Sequence, residues 1–137
     1  MTGTLFLIPN TLGQVTNDAS TLAQIIPEYV QDLTSKLDHF VAENAKTTRA
    51  FLKMIHQKHP LSKSLQEIQI AELNVNTPQD ALLGLLTPLM NGHDVGLISE
   101  AGVPAVADPG ANLVRFAHQR NIPVRPMVGP SSLLLGL

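Results

Sequence analysis

Glu100 stands where a carboxylate can meet a ligand. It lies two residues beyond an apolar run, Val95–Ile98, in the stretch Ser99-Glu100-Ala101-Gly102-Val103-Pro104. A loop that leaves a buried strand in an open α/β sheet borders the crevice in which such sheets bind ligands. Gly102 lets backbone approach a ligand with no Cβ in the way. Val103-Pro104 holds the loop extended. The second acid of the stretch has a structural reading: Asp108-Pro109 reads as a helix N-cap followed by proline at the first helical position.

A different chemistry is offered further upstream. From Asn44 to Gln66 there are five basic residues, Lys46, Arg49, Lys53, Lys58 and Lys63, and no acidic one. Lys46, Arg49 and Lys53, with His56 or Gln57, share one helical face, opposite Phe51, Leu52 and Ile55. Such a stripe suits RNA phosphates; an ordinary solvated helix face is the alternative. The histidines, His39, His56, His59, His93 and His118, are scattered. His56 and His59 have no cysteine or carboxylate beside them, so no metal is expected. Neither a G-x-G-x-x-G fingerprint nor a G-x-x-x-x-G-K-[ST] phosphate loop occurs.

The elements that must position these residues alternate between strand and helix. Thr4–Ile8 reads as a buried strand stopped by Pro9. Thr21–Leu37 has helical spacing, with Pro27 expected to kink it or open a second helix. His39–Ala42 reads as a short strand, Ala45–Lys58 as a helix and Ile68–Leu73 as a strand. Pro78–Asn91 reads as one helix, with Thr77 as N-cap, Pro78 at its first position and Gly92 as its stop. Val95–Ile98 is a strand, Pro109–Arg120 a helix and Val124–Val128 a final strand. Strands and helices in this order predict an α/β fold: an open, mostly parallel five-stranded sheet with helices on both faces.

The bulk properties agree. A chain of 137 residues, 44% hydrophobic and 15% charged, is globular and of single-domain size. A net charge of −2 gives no global basic field, and the absence of cysteine removes disulfides and fits a cytoplasmic location. The start, MTGTLFLIPN, has no basic lead, and its apolar run is too short for a signal peptide or membrane span.

Together, LISEAGVPAVADPGANLV and VRPMVGPSS resemble the tetrapyrrole methylase superfamily. They resemble most closely the branch that includes the ribosomal RNA small subunit methyltransferase I family, which 2′-O-methylates a cytidine. That branch carries Ser-Asp-Ala-Gly-x-Pro-x-x-x-Asp-Pro-Gly and Gly-Pro-Ser motifs. Here they stand as Ser99-Glu100-Ala101-Gly102-Val103-Pro104, Asp108-Pro109-Gly110 and Gly129-Pro130-Ser131. GTLFLIPNTLG is similar to the family's opening strand and Thr-Pro-Ile-Gly-Asn loop, and AENAKTT to its Ala-Glu-Asp-Thr-Arg-x-Thr segment. The chain departs from the pattern at Glu100 (family Asp), Thr11 (Pro), Gln14 (Asn), Asn44 (Asp), Ala45 (Thr) and Lys46 (Arg), as a divergent branch would.

The resemblance implies an S-adenosylmethionine-dependent methyltransferase, with donor contacts at Pro9, Asn10, Ser99, Glu100, Ala101, Gly102, Pro104, Ser131 and Ser132. It implies that RNA ribose is preferred over a tetrapyrrole as substrate, with ribosomal RNA or the small ribosomal subunit as partner and a homodimer as the full-length state. Glu43, the carboxylate of the AENAKTT segment, is the candidate base for a ribose hydroxyl; a structural role is its alternative. Lys46, Arg49 and Lys53 are the candidate RNA contacts. The readings kept beside this one are a tetrapyrrole or other small-molecule methyltransferase, and a non-catalytic nucleotide-binding module of the same fold. Family members bind the donor between two domains. Residues 1–128 therefore read as the N-terminal α/β domain. Residues 129–137, GPSSLLLGL with its capping serines, read as the start of a connection to a C-terminal domain. Alone, the N-terminal half is expected to be inactive.

Overall fold

In a computed structural model the chain is described over residues 2–10, 27–73, 77–100 and 109–127, with side chains at all of these except 9, 10, 99, 100, 109 and 110. The elements run β1 (Leu5–Asn10), α1 (Glu28–Lys36), β2 (His39–Ala42), α2 (Ala45–His56), β3 (Gln69–Glu72), α3 (Gln79–Leu85), α4 (Thr87–Met90), β4 (Val95–Glu100), α5 (Pro109–Gln119) and β5 (Val124–Pro126). The five strands form one sheet in the order β3-β2-β4-β1-β5, and every pairing is parallel.

Alternation along the strands sorts side chains to two faces. Phe6, Ile8, Phe40, Ala42 and Ile98 pack with Val30 and Leu37, at α1, and with Phe51, Leu52, Met54 and Ile55 of α2. Leu5, Val41, Val95 and Leu97 face the other way, against Leu82, Leu86 and Leu89 of the α3–α4 region and Leu113 and Ala117 of α5. The expected α/β sheet, covered by helices on both faces, is therefore what the chain forms. Gly96 faces the first of these layers. A Cβ there would lie 2.9 Å from Ile8 Cδ1 and from the Phe40 ring.

Three expectations need correcting. Pro9 does not stop the first strand, which continues to Asn10. Leu5 and Leu7 bond toward β5, through Leu5 N–H to the Pro123 carbonyl and Met127 N–H to the Leu7 carbonyl. Pro9, two residues on, turns the same way, past Leu7↔Pro126, the last pair between these strands. Its missing N–H therefore breaks no ladder bond.

The region Pro78–Asn91 is two helices rather than one, meeting at Leu86. Pro88 has no N–H to give and its ring would clash with a helical carbonyl four residues back, so the chain restarts with proline in the first turn of α4. Thr77 is not the N-cap. Pro78 holds that position with φ −65° and ψ 153°, and its carbonyl accepts from Ala81 and Leu82 N–H. Gly92 stops α4 as expected, with φ 94° and its N–H on the Leu89 carbonyl. Pro27 takes the second of its two expected roles and opens α1; residues 21–26 of the predicted helix lie outside the described residues, as do Val128 and the N-cap expectation at Asp108.

Candidate functional site

The carboxyl ends of β1 and β4 lie side by side. Pro9 is in register with Ser99 and Asn10 with Glu100. Four of the residues expected at the donor site, far apart in sequence, thus meet at one point of the sheet edge. Pairing between β2 and β4 ends earlier, at Ala42↔Ile98, so β1 and β4 project two residues beyond it. The chain leaves this pair in opposite directions. From β1 it goes to β2 by way of α1 on one face; from β4 it goes to β5 by way of α5 on the other. Neighbouring strands whose connections diverge in this way open a crevice at their carboxyl ends, the usual ligand position in open α/β sheets. Ala101, Gly102, Pro104, Ser131 and Ser132 lie outside the described residues.

Next to this edge, β2 runs through Glu43 into α2. Glu43 is exposed. Asn44 caps the helix: its Oδ1 accepts from Lys46 N–H at 2.8 Å and Thr47 N–H at 3.1 Å. The Ala45 N–H donates to Glu72 Oε2 at 3.0 Å, across from the end of β3. Thr48 Oγ1 donates back to the Asn44 carbonyl at 2.9 Å. The amides that open α2 are thus held by the chain's own oxygens.

Along α2, Phe51, Leu52 and Ile55 are buried, and Lys46, Arg49, Lys53, His56 and Gln57 are exposed. The five basic residues of the acid-free stretch are not equivalent. Lys58 reaches Glu28 at 3.4 Å, and Lys63 reaches Asp38 at 2.8 Å. Lys46, Arg49 and Lys53 pair with no carboxylate among the described residues.

The ion pairs tie the framework together. Glu28 accepts from His59 Nε2 at 2.7 Å as well as from Lys58, and these bonds hold its carboxyl below the ordinary carboxylate range, the His59 bond most strongly. Asp38 lies between Lys63 and His39, whose Nδ1 is 2.7 Å away. The Lys63 bond is the main cause of its lowered pKa, and Lys63 is raised in return. His56 Nδ1 accepts the Leu61 N–H at 3.0 Å. Three of the scattered histidines therefore have local bonding work, and among the described residues no group of three or more His, Cys, Asp or Glu side chains is placed to hold a metal. No described helix is long and apolar enough to cross a membrane.

No family model matches the chain. A ribosomal RNA small subunit methyltransferase I of Xylella fastidiosa is 30% identical over 129 residues, 94% of this chain and 44% of the relative. One from Leptospira biflexa is 30% identical over 102 residues, 74% of this chain and 39% of the relative. One from Escherichia coli O157:H7 is 24% identical over 98% of this chain and 41% of the relative. The chain is homologous to the ribosomal RNA small subunit methyltransferase I proteins. It spans less than half the length of these relatives.

This homology matches the resemblance read from the motifs, in which the segments Pro9-Asn10 and Ser99-Glu100 belong to one site. Asn44 and Ala45, two of the departures from that pattern, are the residues that open α2. Asparagine and aspartate rank alike as N-cap residues, and Asn44 gives α2 its cap in this chain. Sequence reasoning missed Glu72 altogether. It had no signal there, because a carboxylate 27 residues along the chain from the amide it accepts is brought close only by the β2–β3 pairing.

Proposed function

We propose that this chain provides one wall of an S-adenosylmethionine-dependent methyltransferase that acts on a ribose of small-subunit ribosomal RNA. The observation that carries the reading is the register of Pro9 with Ser99 and of Asn10 with Glu100 at diverging connections. Homology to proteins named for that reaction supports it. The edge suits such a donor because β4 extends past its pairing with β2 and β1 past its pairing with β5, leaving backbone groups without a strand partner on those sides among the described residues.

When bound, S-adenosylmethionine supplies a sulfonium-activated methyl group, so the protein's part is binding and alignment. Holding nucleophile and methyl in line can remove roughly 7–11 kcal/mol of barrier. Pro9, Asn10, Ser99, Glu100, Ala101, Gly102, Pro104, Ser131 and Ser132 are assigned to the donor. Glu43, exposed beyond β2 on the same sheet edge, is assigned as acceptor of the ribose hydroxyl proton.

On this reading residues 1–128 form the first domain. Residues 129–137, with Ser131 and Ser132, lead to a second domain that closes the cleft, and the complete enzyme works as a cytoplasmic homodimer. The test is transfer of a radiolabelled methyl group to unmodified small ribosomal subunits by the complete protein. Label in the RNA, at a ribose, is the expected outcome. Label on a base, or on no RNA, refutes the assignment.

A further inference from the structure

We infer that the exposed face of α2 is a docking surface for the phosphate backbone of the substrate RNA, with Lys46, Arg49 and Lys53 each contacting a phosphate. The inference rests on the proposed RNA methyltransferase reading and adds to it the surface that holds the substrate.

Four observations converge on this helix. First, the ion pairs divide the five basic residues of the acid-free stretch into two kinds. Lys58 and Lys63 are engaged by Glu28 and Asp38, whereas Lys46, Arg49 and Lys53 are exposed and unpaired among the described residues. Second, the three fall within about 60° of arc at ~100° per residue, and span about 10 Å of axis at 1.5 Å rise per residue. α2 carries no acidic residue to interrupt them. Third, the rest of that face is polar or small, with Ala50, His56 and Gln57 exposed and the apolar residues Phe51, Leu52, Met54 and Ile55 buried against the sheet. A row of cations without exposed apolar side chains fits a polyanion strand and has nothing to insert into a lipid layer. Fourth, the stripe starts at the same sheet edge as the proposed donor site. Its first cation, Lys46, is four residues beyond Ala42, which pairs with Ile98 of β4.

The helix is also anchored for the task. Its opening turn is fixed by Asn44 and Glu72, and its underside is fully packed. The cations therefore project from a rigid element, so little ordering of the backbone remains to oppose RNA binding.

The test uses the complete protein and small-subunit ribosomal RNA transcribed in vitro, with affinity measured across a salt series. Lys46→Gln, Arg49→Gln and Lys53→Gln should each reduce the slope of log affinity against log salt by roughly 0.7, the value for one single-strand phosphate contact. The triple variant should lose roughly 2 in slope and at least about tenfold in affinity at low salt. Lys36→Gln, a control on α1 where Lys36 pairs with Asp32 at 3.0 Å, should change neither. Affinity for S-adenosylmethionine should stay constant throughout, which also shows that each variant is folded. RNA affinity and slope unchanged in the stripe variants, or changed equally by Lys36→Gln, would overturn the inference. The two readings fail separately. A wild type that binds the RNA through the stripe but transfers no methyl group leaves the docking surface standing without the enzyme. One that transfers methyl while the stripe variants bind RNA normally leaves the enzyme without the surface.

Discussion

One side chain settles how α2 begins, and another is proposed to meet a ligand at the β1–β4 edge. Asn44 satisfies two amides of the first turn. Asn44→Ala should cost about 1 kcal/mol, within the usual 0.5–2 for a lost cap, read as a lower midpoint in urea with an unchanged slope. A loss near zero would mean that Glu72 holds the helix start by itself. At the edge, Glu100→Gln should weaken S-adenosylmethionine binding by roughly 1–3 kcal/mol if the carboxylate accepts a ligand hydrogen bond, measured by titration calorimetry. Residue-level chemistry was legible in sequence where it depended on near neighbours. The alternation of Phe51, Leu52 and Ile55 with Lys46, Arg49 and Lys53 predicted both faces of α2 correctly. Partners set by tertiary folding were not legible: nothing local distinguishes Lys58 from Lys53, because Glu28 lies 30 residues away from Lys58.

At the scale of elements, prolines drew the line between what could and could not be read. Every strand and most helices follow from apolar runs and punctuation. Pro9 was misread as a terminator because its tolerance depends on where β5 ends, which no local pattern contains. Pro88 was passed over because Leu82, Leu86 and Leu89 keep helical spacing across the break that it causes. Gly96 was not singled out, since its need for a missing side chain comes from Ile8 and Phe40 on the two neighbouring strands. Gly96→Val should destabilise the fold by about 1–3 kcal/mol or more through overpacking of the central strand, visible as a lower melting temperature. Wild-type stability in this variant would show that the layer between β1, β4 and β2 has room that the packing denies.

At the scale of the molecule, two carboxylates link elements that the sheet alone does not bind together. Glu28 joins α1 to the residues just after α2, and Asp38 joins the start of β2 to Lys63. Both acids are held below their ordinary values by these partners. A carboxyl whose folded pKa is lowered contributes stability above its unfolded pKa and loses it as pH falls through the folded value. The melting temperature should therefore hold near neutrality and decline from about pH 5 downward, with Lys63→Gln flattening part of that decline. A profile that does not differ between Lys63→Gln and wild type would show that the Asp38 pair contributes nothing in solution.

We propose that a methyl donor binds at the carboxyl ends of β1 and β4, and Gly102, two residues beyond β4 in the chain, gives the most direct test. Titration calorimetry of the complete protein with S-adenosylmethionine should show micromolar binding in the wild type and none in Gly102→Val, with equal melting temperatures for the two. On the proposed reading Gly102 borders the donor, so a side chain there would fill space that the ligand needs. Normal binding by Gly102→Val, or no binding by the wild type, would contradict the account.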